Sequence, residues 1–229
     1  MQPRTTSRIR SDAPLYGYAE ADYLCYVGPG TSKRWIEGYG HRDSRGERVN
    51  LQPVSSRERG HAEVSFLDLV EVAAIGGLRR EGFPLKRIRQ IVAYCRNALE
   101  IDRPLVTLKF KTDGRQIFID RGAALLEVGE HSGNQAWAEI LEPFLKELDY
   151  EDDLARRWYP MGRDGSISID PDYGFGLPTV AGAGVRTEIL LERFQVGENT
   201  EEIAEDFAIS PTQVEQAIRY ETRLAKRAA

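Results

Sequence analysis

The sequence predicts a mainly α-helical protein with small β elements, in the α+β class. Apolar residues recur at helical spacing in several separate segments, a short central stretch alternates apolar and polar residues, and Gly or Pro separates these segments. The chain has 229 residues, of which 41% are hydrophobic and 29% charged. This composition is typical of a globular protein with one large or two small domains.

Two short helices are predicted on either side of Gly28-Pro29-Gly30, because apolar positions fall at helical spacing between Leu15 and Tyr39. We expect Trp35 in the second helix to face the core. The start of that helix carries hydroxyl groups and cations, which suit contacts with phosphates and base edges from a recognition helix. These candidate DNA-binding residues are Thr31, Ser32, Lys33 and Arg34.

A polar loop with Arg42, Arg45 and Arg48 follows, and Gly46 lies where the chain can reverse. We expect these arginines to contact the DNA backbone from a wing. Ser65, with Asp68 three positions later, then resembles a capping box at the start of a helix that ends near residue 82. A further amphipathic helix is predicted over residues 85–99, after a Gly-Phe-Pro break.

Residues 15–97 resemble the winged-helix DNA-binding domain of MerR-like regulators. The matching motifs, in chain order, are Tyr16, Ala19-Glu20-Ala21, Val27-Gly28-Pro29-Gly30-Thr31, Lys33-Arg34-Trp35-Ile36 and Arg80-Glu81-Gly82-Phe83-Pro84-Leu85-Lys86-Arg87-Ile88-Arg89. The stretch between Tyr39 and Ser65 is longer and more polar than a compact wing. The resemblance implies that residues 1–99 form a DNA-binding domain.

The charge is divided unevenly, although the whole chain carries only −5. Residues 1–97 contain 16 Lys and Arg against 11 Asp and Glu, whereas residues 98–229 contain 15 against 25. Neutralisation of phosphates supplies most nonspecific affinity for nucleic acid. The distribution therefore favours nucleic-acid binding by the first part of the chain.

Residues 100–160 are predicted to form a β-hairpin, with its turn at Asp113-Gly114, and a helix with an apolar stripe from Trp137 to Leu148. An acidic run, residues 149–153, follows the stripe. The stripe packs either in the core or against a second copy. Because a winged helix that reads a two-fold operator usually dimerises, we expect this region to supply a homodimer interface.

Residues 161–229 contain a short strand, a glycine-rich stretch and three helices, predicted over residues 187–196, 200–207 and from 211 to about 223. The glycine-rich stretch, residues 174–184, lacks the third glycine and the Lys-Ser/Thr pair of nucleotide-binding loops. The middle helix is acidic and should be repelled by DNA. We therefore expect this unit to bind protein.

Residues 166–222 resemble the three-helix domain of many VapB-type antitoxins. The matching elements are Ile169-Asp170-Pro171, Gly176, Pro178, Gly182, Val185, Thr187-Glu188, Gly197-Glu198, Glu202-Ile203-Ala204, Ser210, Val214 and Ala217. Where that family usually shows Gly-Thr-Arg-Val-Pro, this chain has Gly182-Ala183-Gly184-Val185-Arg186. Together with the MerR-like head, the resemblance covers nearly the whole chain and is to the mycobacterial type of VapB antitoxin.

This resemblance implies that the partner is a PIN-domain, VapC-type ribonuclease toxin and that the chain represses the shared operon by binding operator DNA. Guanidinium groups pair with clustered carboxylates in such an active site. The candidate toxin-binding residues are Arg219, Arg223, Lys226 and Arg227. The alternatives are a solvated basic tail and, for the whole chain, a stand-alone MerR-like regulator with a C-terminal ligand-binding or protein-binding domain.

No enzyme, metal site or cofactor is expected. Asp164, Asp170 and Asp172 are interpreted as turn and cap residues, because no histidine or cysteine lies near them in the sequence. Cys25 and Cys95 are interpreted as buried reduced thiols. The three histidines, His41, His61 and His131, lack the spacing of metal ligands. Without a signal peptide or an apolar spanning segment, we expect a cytoplasmic protein.

Overall fold

The structure of the chain is a computed structural model, and it describes residues 11–42, 44–55, 63–107 and 142–228. These residues are mainly helical, and their strands form four two-stranded antiparallel sheets. The predicted α+β class is therefore confirmed. Within the described ranges, no helix is both long and apolar enough to cross a membrane.

The described residues of the N-terminal half form four helices and four strands. They are β1 (Pro14–Tyr16), α1 (Tyr18–Leu24), α2 (Thr31–Glu37), β2 (Tyr39–Arg42), β3 (Arg48–Leu51), β4 (Val64–Ser65), α3 (Phe66–Arg80) and α4 (Leu85–Leu99). Strand β1 pairs with β4, and β2 pairs with β3. The four predicted helices are confirmed, but Leu15 and Tyr39 lie in strands. Their apolar side chains fitted the helical spacing, yet backbone pairing decides their conformation.

Helix α3 is the centre of this half. Its predicted capping box is confirmed: Ser65 Oγ accepts the N–H of Asp68 at 3.1 Å, and the Asp68 carboxylate accepts the N–H of Ser65 at 3.0 Å. Both Asp68 and Glu71 are buried, and Arg103 contacts them at 3.1 Å and 3.3 Å. Because burying these carboxylates without a cation would be costly, this contact ties the segment after α4 to α3.

The middle region differs from the predicted helix. The described helical residues end at 146, and Leu148 begins the strand β5 (Leu148–Glu151), which pairs with β6 (Leu154–Trp158). The acidic run therefore forms a hairpin, whose turn residues Asp152 and Asp153 have positive φ. The predicted hairpin around residues 113–114 and the start of the apolar stripe at residue 137 lie outside the described residues.

The C-terminal unit contains the three predicted helices. The strands β7 (Ile167–Ser168) and β8 (Thr179–Val180) precede α5 (Thr187–Gln195), α6 (Thr200–Phe207) and α7 (Pro211–Ala228). Asn199 and Glu202 form a capping box at the start of α6. Helix α7 extends five residues beyond the predicted end, because its apolar face continues to the buried Leu224.

The two halves meet in one continuous hydrophobic core. The hydroxyl of Tyr16 donates to the carbonyl of Gly176 at 2.7 Å, and both Tyr16 and Tyr220 are fully buried. Gly176 has φ +76°, and a β-carbon there would lie 2.4 Å from Leu15 Cδ2. The glycine-rich stretch therefore allows close packing against β1. The predicted domain division after residues 99 and 160 stays a prediction.

The C-terminal aspartates have structural partners. Asp170 is buried, accepts the N–H of Asp172 at 2.9 Å and forms an ion pair with Arg157 at 2.8 Å. Asp172 pairs with Arg156. These contacts confirm the interpretation of Asp170 and Asp172 as residues that shape a turn.

Candidate nucleic-acid interface

A buried carboxylate fixes the turn between α1 and α2. Asp22 is 5% exposed, and its two oxygens accept the backbone N–H groups of Gly30 at 2.6 Å and Ser32 at 2.7 Å. Helix α2 has no cap from its own N-cap residue, so Asp22 satisfies donors that the helix leaves free at its start. Asp22 was not among the residues that the sequence singled out. Its signal was an acidic side chain between the core residues Ala21 and Leu24 on one short helix.

The prediction that Ser32 contacts DNA is wrong for this conformation. Its side chain is fully buried, and its backbone N–H donates to Asp22 inside the turn. Trp35, three residues later, is also buried, as predicted. The core-facing side of α2 therefore begins three positions earlier, about one helical turn, than the sequence pattern suggested.

Lys33 and Arg34 are exposed on α2. The Lys33 ammonium lies 5.9 Å from the centre of the Tyr18 ring. The Arg34 guanidinium donates to Thr31 Oγ1 at 3.1 Å and to the carbonyl of Pro29 at 3.4 Å. These partners are neutral, so they orient both cations without cancelling their charge. Thr31 is half-buried, and its hydroxyl is used by Arg34.

The predicted wing is the hairpin formed by β2 and β3. Arg42 lies directly opposite Arg48 in the register, and the Arg42 guanidinium donates to the carbonyl of Gly46 at 2.8 Å. Arg45 is exposed near the tip. Like charges directly opposite each other on one face destabilise a hairpin. An anion bound between Arg42 and Arg48 would relieve that repulsion, which suits a phosphate contact.

The hairpin is attached to α2 and α4. The carbonyl of Trp35 accepts the N–H groups of Val54 at 2.7 Å and Ser55 at 3.2 Å. Arg89 of α4 donates to the carbonyl of Gln52 at 2.9 Å. Gly38, with φ +77°, connects α2 to β2 where a β-carbon would lie 2.4 Å from the carbonyl oxygen of Leu51. These contacts hold the wing beside the start of α2.

The predicted toxin-binding cations lie at the other end of the chain. Arg219, Arg223 and Lys226 are exposed on α7, at spacings that place them along one side of the helix. Tyr220 and Leu224 on the same helix face the core. The side chain of Arg227 lies outside what the structure describes. The acidic residues of α6 are exposed, as expected, namely Glu201, Glu202, Glu205 and Asp206.

Both cysteines are buried free thiols, as predicted. Burial raises the pKa of Cys95 to about 12, and it raises the pKa of Cys25 well above the ordinary value. Such thiols are poor nucleophiles at neutral pH. In the described ranges, no group of three His, Cys, Asp or Glu side chains is arranged to hold a metal ion.

Two family models each match a part of this chain. Residues 14–92 match the family described as "Putative DNA-binding HTH domain". Residues 167–220 match the family described as "Protein of unknown function (DUF433)". The first match covers the helices, wing and supporting helices that form the candidate interface. The second covers most of the C-terminal three-helix unit.

Individual relatives span nearly the whole chain. The protein named "Putative antitoxin VapB45" from Mycobacterium tuberculosis is 27% identical over 92% of this chain and 95% of its own length. "Uncharacterized protein Rv2308" from the same organism is 25% identical over 91% of this chain and 90% of its own. The crystal structure of Rv2018, also from M. tuberculosis, superimposes with a TM-score of 0.73 at 25% identity, covering 92% of this chain and all of that one.

These matches confirm the resemblance to VapB-type antitoxins that carry an N-terminal helix-turn-helix. They support an antitoxin role and a DNA-binding role. Both are non-enzymatic classes.

Proposed function

We propose that this protein is a cytoplasmic antitoxin that neutralises a PIN-domain, VapC-type ribonuclease and represses the operon of the pair by binding its operator. The observation that carries the proposal is the separation of two cationic surfaces. One lies on the helix-turn-helix and its wing, and the other lies on α7 of an otherwise acidic unit. A relative named as an antitoxin spans nearly the same length.

The DNA-binding part of the proposal assigns Lys33 and Arg34 to the recognition helix and Arg42, Arg45 and Arg48 to the wing. Helix α2 is short, but its start is fixed by Asp22. A cation whose position is set before binding loses less side-chain freedom when it meets a phosphate. Since an operator with two-fold symmetry is read by two copies, the protein acts here as a homodimer, with its interface in residues 100–160.

The toxin-binding part of the proposal assigns Arg219, Arg223 and Lys226 to the ribonuclease, together with Arg227. A ribonuclease site that holds a metal with carboxylates attracts guanidinium groups, which pair with carboxylates through two parallel hydrogen bonds. Arginines along α7 would occupy the place of the metal and its RNA substrate. Exposed acidic residues on α6 add complementarity to basic surfaces around an RNA-binding cleft.

The experiment that tests this function is an affinity purification of the tagged full-length chain from its native cells. Lysates are treated with nuclease, and co-purifying proteins are identified by mass spectrometry. We expect a small ribonuclease in near-stoichiometric amount, and added chain should inhibit its activity at an equimolar ratio. If the chain binds DNA but recovers no such partner, the stand-alone regulator is the better description.

A further inference from the structure

The hairpin formed by β2 and β3 has two faces that differ in exposure. Successive side chains of a strand point to opposite faces of the sheet. Along β3, Val49 and Leu51 are half-buried, whereas Arg48 and Asn50 are exposed. Arg48 and Asn50 therefore lie on the face of the hairpin that is turned toward solvent.

The register adds two residues of β2 to this outer face. Gly40 lies directly opposite Asn50, and Arg42 lies directly opposite Arg48. Residues that face each other across an antiparallel pair place their side chains on the same side of the sheet. The outer face therefore consists of Gly40, Arg42, Arg48 and Asn50, and these four residues carry two positive charges and no negative charge. Such a face suits a nucleic acid, whose phosphates attract cations.

Gly40 brings two polar side chains together on the outer face. A β-carbon at position 40 would lie 2.7 Å from Asn50 Oδ1, 3.6 Å from Arg48 Nε and 3.8 Å from Arg48 Nη2. Because Gly40 has no side chain, the amide and the guanidinium both reach over β2 into the same space. Among the described residues, neither of these two groups has a hydrogen-bond partner. Their donors and acceptors are therefore available to an external ligand.

The two kinds of polar group on the outer face suit different parts of DNA. An arginine offers donors only, and these bind phosphate whatever the base sequence. An asparagine amide places a donor beside an acceptor, which matches N7 and the N6 amino group of adenine. Adenine presents these two atoms in the major groove, which is wide enough for a two-stranded β-ribbon. Asn50 therefore has the chemistry to read a base, whereas Arg42 and Arg48 have the chemistry to hold the backbone.

We propose that Asn50 determines part of the sequence specificity of this protein. In the complex with DNA, the outer face of the hairpin lies toward the major groove, and the Asn50 amide pairs with N6 and N7 of one adenine. Arg42 and Arg48 contact phosphates on either side of it. This inference rests on the proposed DNA binding and deepens it, because the hairpin then reads a base in addition to contacting the backbone.

The test selects binding sites from a random pool of duplex DNA with the full-length chain, Asn50→Ala and His41→Ala. His41 is exposed and lies opposite Val49, on the other face of the hairpin, so it provides the matched control. We expect Asn50→Ala to lose the preference for adenine at one position per half-site and to keep the other preferences, while His41→Ala keeps them all. Circular dichroism verifies that both variants are folded. Identical preferences for the unaltered chain and Asn50→Ala would overturn this inference alone.

A second measurement identifies the groove and the atom that Asn50 contacts. 7-Deazaadenine lacks N7 but keeps the N6 amino group, and it replaces the adenine whose selection depends on Asn50. By fluorescence anisotropy, this replacement should weaken binding of the unaltered chain about fivefold and binding of Asn50→Ala less than twofold. Equal losses for the two proteins would contradict the major-groove contact. If the unaltered chain selects no sequence at all, the DNA-binding part of the proposed function is wrong and this inference falls with it.

Discussion

Arg34 and Arg42 of the helix-turn-helix and wing differ in their partners from Arg193 of the C-terminal three-helix unit. In the first, Arg34 donates to Thr31 and Pro29, and Arg42 donates to the carbonyl of Gly46. In the second, Arg193 pairs with both Glu198 and Asp206. In these contacts the charges of Arg34 and Arg42 are not paired with a carboxylate, whereas the charge of Arg193 is paired inside the unit.

The number of cations on a surface therefore does not by itself identify an anion-binding site. The hydrogen bonds that Arg193 donates to Glu198 and Asp206 hold the pKa of Arg193 above its ordinary value, which makes it a structural cation. Neutral oxygens orient Arg34 and Arg42 without such compensation. The two regions nevertheless share one hydrophobic core. A substitution in either region is therefore informative only if the packing between them is preserved.

The largest effect is expected from breaking that connection. Gly176→Val would place a side chain against Leu15 and the hydroxyl of Tyr16, at a residue with positive φ. We expect a loss of about 4 kcal/mol in the free energy of unfolding, from overpacking together with backbone strain. Urea denaturation followed by tryptophan fluorescence measures it.

Gly182 provides the matched control, because it also has positive φ but a β-carbon there would meet nothing within 4 Å. Gly182→Val isolates the backbone strain of the same side chain and should cost roughly 1 to 2 kcal/mol. Equal losses at the two positions would mean that the contact between Gly176 and β1 does not stabilise the protein.

The next effect concerns the charge on α2. Replacing both Lys33 and Arg34 with Ala should weaken DNA binding by about 2 to 3 kcal/mol and reduce the slope of log affinity against log salt by roughly 2. Fluorescence anisotropy with operator DNA at several salt concentrations measures both. The exchange Lys33→Arg with Arg34→Lys keeps the charges and should retain the slope. Unchanged affinity in the alanine variant would place the DNA contacts elsewhere.

A smaller effect is expected at the turn. Asp22→Ala removes the acceptor of two backbone N–H groups, and we expect a loss of about 2 kcal/mol in stability together with weaker DNA binding. Asp22→Asn keeps one carbonyl acceptor and should lose about half as much. Denaturation and anisotropy on the same samples measure both effects. Full DNA affinity in a destabilised Asp22→Ala variant would show that Asp22 does not position α2 for binding.

The smallest effect is a pH dependence in the C-terminal unit. Burial raises the pKa of Glu221, against an opposing hydrogen bond from Thr187, and Glu188 adds to the rise. Above its folded-state pKa the carboxylate is charged in both folded and unfolded chains, so folding must bury a charge. Below the ordinary pKa it is neutral in both, and that cost disappears.

Glu221→Gln keeps an acceptor for Thr187 and removes the charge. It should therefore raise Tm by about 2 °C at pH 7, and the difference should vanish as the pH falls through the folded-state pKa of Glu221 toward its ordinary value. Differential scanning calorimetry at several pH values measures this. A stabilisation that persists in acid would require a cause other than charge burial.

Periodicity and capping predicted most of the helices. The apolar spacing around Gly28-Pro29-Gly30, the Ser65 box and the C-terminal helices depend on nearby residues, and the structure agrees with each. Leu148 differs from the prediction: it fits the helical pattern but lies in a strand, because its backbone pairs with that of Trp158. Such pairing depends on residues elsewhere in the chain, which a local pattern does not include.

The candidate site was less predictable than the fold. The exposed positions of Lys33 and Arg34 follow from helix periodicity, but the burial of Ser32 depends on Asp22 from another helix. The open groove lined by Tyr18, Tyr23 and Leu224 could not be predicted from the sequence either, because Leu224 joins its wall from helix α7. Both features arise from contacts between segments.

The most direct test of the account is a crossed measurement on two charge variants. One is Lys33→Ala with Arg34→Ala, and the other is Arg219→Ala with Arg223→Ala, so each removes the same charge. Both are assayed for operator binding and for inhibition of the co-purified ribonuclease. The account predicts that the first variant loses DNA affinity and still inhibits, while the second binds DNA and fails to inhibit. Loss of both activities in both variants, with the fold intact, would contradict the division of labour proposed here.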